Sequence, residues 1–347
     1  MSRPKLTVVL SQSQGKNPAK RGLEEAIVAA LIMEPGVETA VVPHLVDLNA
    51  EHTGRLFLES TPGDLVVLTW LFPRAAFWIL DRDGIKGQYG ESQLKPPADD
   101  EEEEQSEPAP PKGIGALDVP DRHIYCLDLR DFKNHQPYVD EVRRIAQECL
   151  DRREAKQRAK AAANPALVQL GLELVANGKP KPEAAAPLFT PEALLTQPDR
   201  RWYPVVDYSR CTNCMECIDF CLFGVYGVDD LGRLNVENQD NCKKGCPACS
   251  RVCPEQAIIF PDYKTAAIAG APVGQVSGLK IDLSKLFGGD VQDALAQAVL
   301  ERDRELVNDG RAAVGTAVGI PKRQEGKAPA PKDDLDKLMD SLDSLDI

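Results

Sequence analysis

Eight of the chain's ten cysteines fall between Cys211 and Cys253, in two blocks: CTNCMECIDFC at 211–221 and CKKGCPACSRVC at 242–253. Cysteine thiolates are soft ligands, suited to iron and zinc. Three thiols at CxxC spacing, Cys211, Cys214 and Cys217, can converge from one tight loop on one face of a cubane. A fourth ligand must then come from elsewhere in the chain, and that division of labour marks a [4Fe-4S] site.

In bacterial-type ferredoxins the run CxxCxxCxxxCP sends its fourth cysteine to the other cluster. Residues 200–262 resemble such two-cluster ferredoxins. The resemblance implies that Cys211, Cys214, Cys217 and the distant Cys253 hold one [4Fe-4S] cluster, while Cys242, Cys246, Cys249 and the distant Cys221 hold the other. Two departures stand out: Leu222 replaces the proline of the first block, and Lys243 to Gly245 put three residues between the first two cysteines of the second. Gly245 eases the wider loop because glycine tolerates positive φ. Apolar stretches at 203–206, 225–228, 234–236 and 257–260 give the order strand, cysteine block, strand twice, with a turn at 229–232 between the halves. The expectation is a small α+β ferredoxin-like unit duplicated about a pseudo-twofold.

Other thiol chemistry fits less well. Zinc sites use two cysteine pairs or mixed Cys/His sets, and the close triplets would leave thiolates over. Disulfides are disfavoured in a reducing cytosol, the compartment expected because residues 1–5 run into a strand-like segment with no signal sequence. Cys242, Cys246 and Cys249 also spell the CxxxCxxC of radical-SAM enzymes. That chemistry needs an open iron and a barrel of about 200 residues or more, yet Cys253 supplies a fourth ligand and fewer than one hundred residues follow it.

The 347 residues suffice for two domains, at a soft prior of roughly one per 150. A hydrophobic content of 43% permits a sizeable core. No apolar run approaches the ~20 residues needed to span a bilayer, so a soluble, cytoplasmic protein is expected. The net charge of −13 argues against non-specific nucleic-acid binding. An acidic surface suits redox partner proteins with basic docking patches; solubility alone accounts for it equally.

The elements that must carry this unit begin with residues 5–155, read as an α/β domain, Rossmann-like or flavodoxin-like, with an open, mostly parallel sheet flanked by helices. Strands are expected at 6–10, 39–48, 65–71 and 123–129, and helices at 22–33 and 139–150, with Cys126 and Cys149 as core thiols. The loop SQSQGKNPAK after the first strand contains Ser11, Ser13, Gly15 and Lys16. These could cradle the phosphate of a flavin or nucleotide at a helix N-terminus, or form an ordinary polar connection, since the loop matches neither GxGxxG nor the P-loop pattern. Trp70, Phe72, Phe77 and Trp78 could stack a flat cofactor, although such spacing more often builds core. His44, His52, His123 and His135 show no ligand-like spacing and receive no role.

An acidic loop at 95–112 carries DDEEEEQSE and is expected to be mobile. Residues 156–199 form a helical connector and proline linker, ending in a helix start at Thr190 and Pro191. A C-terminal extension at 263–320 should include a helix from Asp290 to about Val307 that packs over a cluster with Leu295, Ala298 and Val299. The flexible tail at 321–347 ends in DDLDKLMDSLDSLDI. Residues 333–347 could dock on a partner as an amphipathic helix or stay a soluble end, and their acidic polar face argues against membrane attachment. The reading is electron transfer through two clusters, as a ferredoxin-type carrier or a subunit of a redox complex. Two alternatives are an oxidoreductase subunit whose N-terminal domain exchanges electrons through flavin or nucleotide, and a docking scaffold. Lys243, Lys244 and Arg251 flank the second triplet and should favour its reduced state.

Overall fold

The computed structural model describes residues 6–94, 113–163, 189–272 and 291–319. The acidic loop at 95–112, the linker within 164–188, the strand-like stretch at 279–286, the cap at Asp290 and the acidic end at 333–347 lie outside the described residues.

β1 (Leu6–Ser11) is a β-branched and leucine run, buried almost throughout. α1 (Pro18–Ile32) starts where the Asn17 side chain accepts the Ala19 N–H and Pro18 takes the first turn. Then come β2 (Val37–Val42), α2 (Thr53–Ser60), β3 (Leu65–Thr69), α3 (Pro73–Arg82), β4 (Gln88–Gly90), β5 (His123–Asp128) and α4 (Gln136–Ala163). The strand order is β2-β1-β3-β5-β4, and every pairing is parallel. β3 is buried at all its positions, as a strand covered on both faces should be. Val8, Leu10, Val66 and Leu127 face a core that includes Ile27 of α1 and Val142 of α4. Val9, Val67 and Cys126 face the opposite core, with Leu58 of α2 and Ile79 of α3. The N-terminal half is therefore an α/β layer with helices on both faces.

Two boundaries differ from the sequence reading. The second strand ends at Val42 rather than at 48, because Pro43 lacks an N–H for the ladder and Leu45–Asp47 then turns as a 3-10 helix. The first helix begins at Pro18, four residues before the expected 22. α2, capped by His52 Nδ1 accepting the Gly54 N–H, and the three-residue β4 carry too little pattern to be foreseen.

The chain continues through α5 (Pro191–Leu194), capped as expected by the Thr190 hydroxyl, into β6 (Val205–Val206), α6 (Glu216–Phe220), β7 (Tyr226–Val228), β8 (Leu234–Val236), α7 (Ala248–Val252), β9 (Ile258–Ile259), α8 (Ala266–Ala269) and α9 (Val291–Asn308). β6 pairs antiparallel with β9, and β7 with β8. Phe220, Val225, Val252 and Phe260 form the centre of a second core, closed on one side by Ala298 and Val299 of α9. No helix among the described residues is long and apolar enough to cross a membrane.

The two halves share a seam. Tyr203, Val205 and Ile259 are buried in the core beneath α3. The Tyr203 hydroxyl donates to the Val46 carbonyl at 2.8 Å, and the Arg82 guanidinium lies 3.8 Å above its ring. Arg74 donates to the Asp207 carboxylate at 2.5 Å and to the Gln256 carbonyl at 2.6 Å. Gly113 and Ile114 donate to the carbonyls of Ser209 and Cys211, both at 2.9 Å. A Cβ on Gly113 would lie 2.3 Å from the Ser209 backbone, so only glycine allows that approach.

Asp207 is 1% exposed, and removing Arg74 strands its charge. Arg74→Met is expected to cost roughly 3–5 kcal/mol in urea unfolding. Arg158→Met, which breaks a pair whose side chains are 80% and 61% exposed, should cost less than about 1 kcal/mol.

Candidate metal centres

The first cysteine loop leaves β6 through a turn in which the Cys211 N–H donates to the Asp207 carbonyl at 2.9 Å. Asn213 and Met215 adopt left-handed backbone, with φ of 61° and 65°, and this curls 211–217 around a common centre. Asn213 fastens the loop to the other half: its Oδ1 accepts the Leu234 N–H at 2.8 Å, and its Nδ2 donates to the Gly232 carbonyl at 2.9 Å. In the second block Gly245 has a φ of 87°, so the additional residue is absorbed in a conformation that glycine adopts without strain.

Strand pairing decides which cysteines meet. Cys211 stands five residues after β6 and Cys253 five before β9, the partner of β6. Cys221 stands five residues before β7 and Cys242 six after β8, the partner of β7. Two cavities result. One, partly open to solvent, is lined by Cys211, Cys214, Cys217 and Cys253, together with Leu234 and Ile258. The other, also partly open to solvent, is lined by Cys221, Cys242, Cys246 and Cys249, together with Phe220, Tyr226 and Arg302.

The donor set matches a polynuclear group better than a single ion. All ten cysteines are free thiols, and among the described residues no three cysteine sulfurs lie mutually within 4.8 Å. One zinc with Zn–S bonds of about 2.3 Å would draw four sulfurs to about 3.8 Å from each other. Burial, reinforced by neighbouring sulfurs, pushes the Cys217, Cys242 and Cys249 thiols well up, and pushes Cys246 up to about 11. Such thiols shed their protons only when a cation takes their place.

Donors are nonetheless aimed at the sulfurs. The buried Tyr226 hydroxyl donates to Cys249 Sγ at 3.0 Å, and the Ala257 N–H donates to Cys253 Sγ at 3.3 Å. Backbone N–H groups of Phe223 and Val225 partly offset the effect of burial on Cys221. The Trp202 indole N–H is buried beside Cys242 without a well-formed hydrogen bond, close enough to favour that thiol's ionised form. A weakly held buried donor next to a ring of sulfurs is what an iron–sulfur group, with its acceptor sulfides, would satisfy.

The two cavities are covered differently. Cys214 of the first is exposed, whereas α9 contributes a residue to the wall of the second, which is also partly open to solvent. That residue, Arg302, 1% exposed, lies 4.6 Å over the Phe220 ring and pairs with Asp303 at 2.9 Å. Lys243 is held by Asp309 at 2.7 Å and Arg251 by Glu301 at 3.0 Å; Lys244 is exposed. The cations singled out by their place in the sequence are therefore largely neutralised. Arg302, Tyr226 and Trp202 were missed, because none stands at a spacing that marks it.

The loop after β1 is occupied from within. Ser11 Oγ donates to the Pro43 carbonyl at 3.2 Å and accepts the Leu45 N–H at 2.9 Å. The Ser13 N–H, the donor a phosphate would use, is taken by the buried Glu24 carboxylate at 2.7 Å. Glu24 also accepts from Trp70 Nε1 and Arg21, each at 2.8 Å. Gly15 and Lys16 are exposed. Phe77 and Trp78 are core residues, and Phe72 lies under the Arg130 guanidinium, so these rings are engaged in packing and a flavin finds no support.

No family model matches the chain, and no solved structure matches it. Two proteins of Methanocaldococcus jannaschii do. An uncharacterized ferredoxin is 43% identical over 83 residues, covering 24% of this chain and 56% of that protein. Pyruvate synthase subunit PorD is 36% identical over 59 residues, covering 17% of this chain and 66% of PorD. The chain thus spans 56% and 66% of the lengths of these relatives. The likeness supports a ferredoxin domain, and with it iron–sulfur binding and electron transport.

Tyr226→Phe deletes the hydroxyl that donates to Cys249 and changes nothing else in the cavity lining. The reduction potential of the group held there should fall by up to about 60 mV, equivalent to about 1.4 kcal/mol for one electron. EPR-monitored redox titration reads the shift.

Proposed function

We propose that the chain transfers electrons through two [4Fe-4S] clusters, one held by Cys211, Cys214, Cys217 and Cys253, the other by Cys242, Cys246, Cys249 and Cys221. The observation that carries this reading is the sorting of eight cysteines into two quartets, each lining its own cavity and each completed from the opposite block. When bound, the clusters supply one-electron chemistry. The protein supplies thiolates, the Tyr226 and Trp202 donors, and the largely apolar walls of the two cavities.

The chain acts in the cytoplasm as a carrier or as a subunit of a larger redox assembly. The subunit reading draws support from PorD, named as a subunit of pyruvate synthase. A net charge of −13 favours partners that present basic docking patches, and residues 333–347 are the segment to delete when testing docking.

Protein purified without oxygen should contain about eight iron atoms and eight sulfides per chain, as two cubanes require. Cys217→Ser and Cys249→Ser should each remove about half of the iron and leave different EPR signals behind. A zinc-containing product, or a single cubane in the unsubstituted protein, would overturn the proposal.

A further inference from the structure

At the carboxyl ends of β1 and β2, the edge where open α/β sheets bind ligands, three side chains converge from both halves of the molecule. His44 and Asp47 follow β2, and Asp262 follows β9. One ligand atom from each lies within 4.8 Å of the other two. His44 Nε2 is 4.0 Å from Asp262 Oδ1. The His44 side chain is only 6% exposed, yet its Nδ1 has no hydrogen-bond partner among the described residues.

The local charges leave this arrangement incomplete. Gln14 Nε2 bridges the carboxylates, donating to Asp47 Oδ2 at 3.1 Å and to Asp262 Oδ2 at 2.8 Å. The Arg201 N–H reaches Asp47 Oδ1 at 3.1 Å. Arg200 donates to the Gln14 carbonyl at 3.2 Å; its charge acts on all three side chains, that of Arg201 on Asp47 and that of Lys20 on His44. Burial holds the imidazole neutral, with a lone pair free to bind. Two carboxylates that face a neutral imidazole nitrogen are costly to hold together away from water, and one cation bound among them relieves that cost.

We propose that His44, Asp47 and Asp262 bind a divalent transition-metal cation that clasps the α/β half to the cysteine-bearing half. One nitrogen and two carboxylate oxygens suit zinc or manganese and leave coordination positions for water. Bonds of about 2.1 Å place tetrahedral ligands about 3.4 Å apart, so groups already within 4.8 Å close on the ion by side-chain adjustment. Asp262 follows β9 of the cysteine-bearing half and its two partners follow β2 of the α/β half, so the ion cross-links the seam.

The test is a titration of the cluster-loaded protein in physiological salt. Manganese(II) is followed by loss of its free EPR signal, and zinc by calorimetry. Iron already occupies the thiolates, and manganese avoids soft ligands, so the readout reports oxygen and nitrogen donors. One ion per chain is expected, with affinity reduced at least tenfold in Asp262→Asn and in His44→Gln while the cluster absorption stays unchanged. Asp47→Asn provides a third variant should either of the others lose its clusters. Absence of saturable binding of both metals to the unsubstituted protein overturns the proposal. So does undiminished binding in variants that keep their clusters, since the ion would then sit on the acidic surface.

Discussion

The pairing of the first strand of the cysteine-bearing half with its last governs everything around the sulfurs. Nested antiparallel pairs, β6 with β9 and β7 with β8, bring each block's outlying cysteine to the opposite block's triplet. β6 and β9 are only two residues long, and so short a ladder is not stable alone. Side chains hold it instead. Ser250 donates to the Ile258 carbonyl at 2.7 Å, Tyr208 to the Leu234 carbonyl at 3.0 Å, and Asn213 joins the first loop to β8. Under the proposed assignment each cluster is a further cross-link between halves that backbone pairing holds weakly.

The α/β half reinforces the same pair from outside. Val205 and Ile259 extend the core beneath α3, and Arg74 fixes Asp207, whose carbonyl receives the Cys211 N–H. A displacement of α3 would therefore reach the first cysteine loop through one ion pair and one turn. The sheet serves as a rigid platform for that loop, consistent with a fold in which β1-end hydroxyls and Glu24 are spent on internal hydrogen bonds.

What could be read from sequence followed from period and spacing. The runs LTVVL, LVVLT and HIYCLD declare buried parallel strands because no charged residue interrupts their interiors, and the cysteine blocks declare themselves by intervals that only a tight loop satisfies. What could not be read depends on residues meeting across long separations. His44, Asp47 and Asp262 carry no mutual spacing and converge only once β2 and β9 are placed. Glu24 reads as an ordinary acid within the first turns of α1, yet it fills the anion position of the loop before it. Arg302 reads as one more charge on an amphipathic helix, until α9 lays it against Phe220 and the second cavity. Composition gave no hint that Glu301 of α9 and Asp309 just after it would neutralise the arginine and lysine beside Cys249 and Cys242.

The two cavities meet one electrostatic demand in different ways. Any group that gains an electron there adds negative charge among sulfurs whose burial already opposes ionisation. At the first cavity Cys214 is exposed, so water and mobile ions can answer that charge, and ionic strength acts on it directly. The second is also partly open to solvent, but fixed groups stand beside its sulfurs: the Tyr226 hydroxyl, the Trp202 indole N–H and the Arg302 guanidinium, itself paired with Asp303. Fixed dipoles need no reorganisation when charge arrives, whereas solvent must reorient. The sequence duplication thus places two similar quartets in dissimilar surroundings: Tyr226 and Trp202 of the duplicated unit and Arg302 of the helix that follows it all stand at the second.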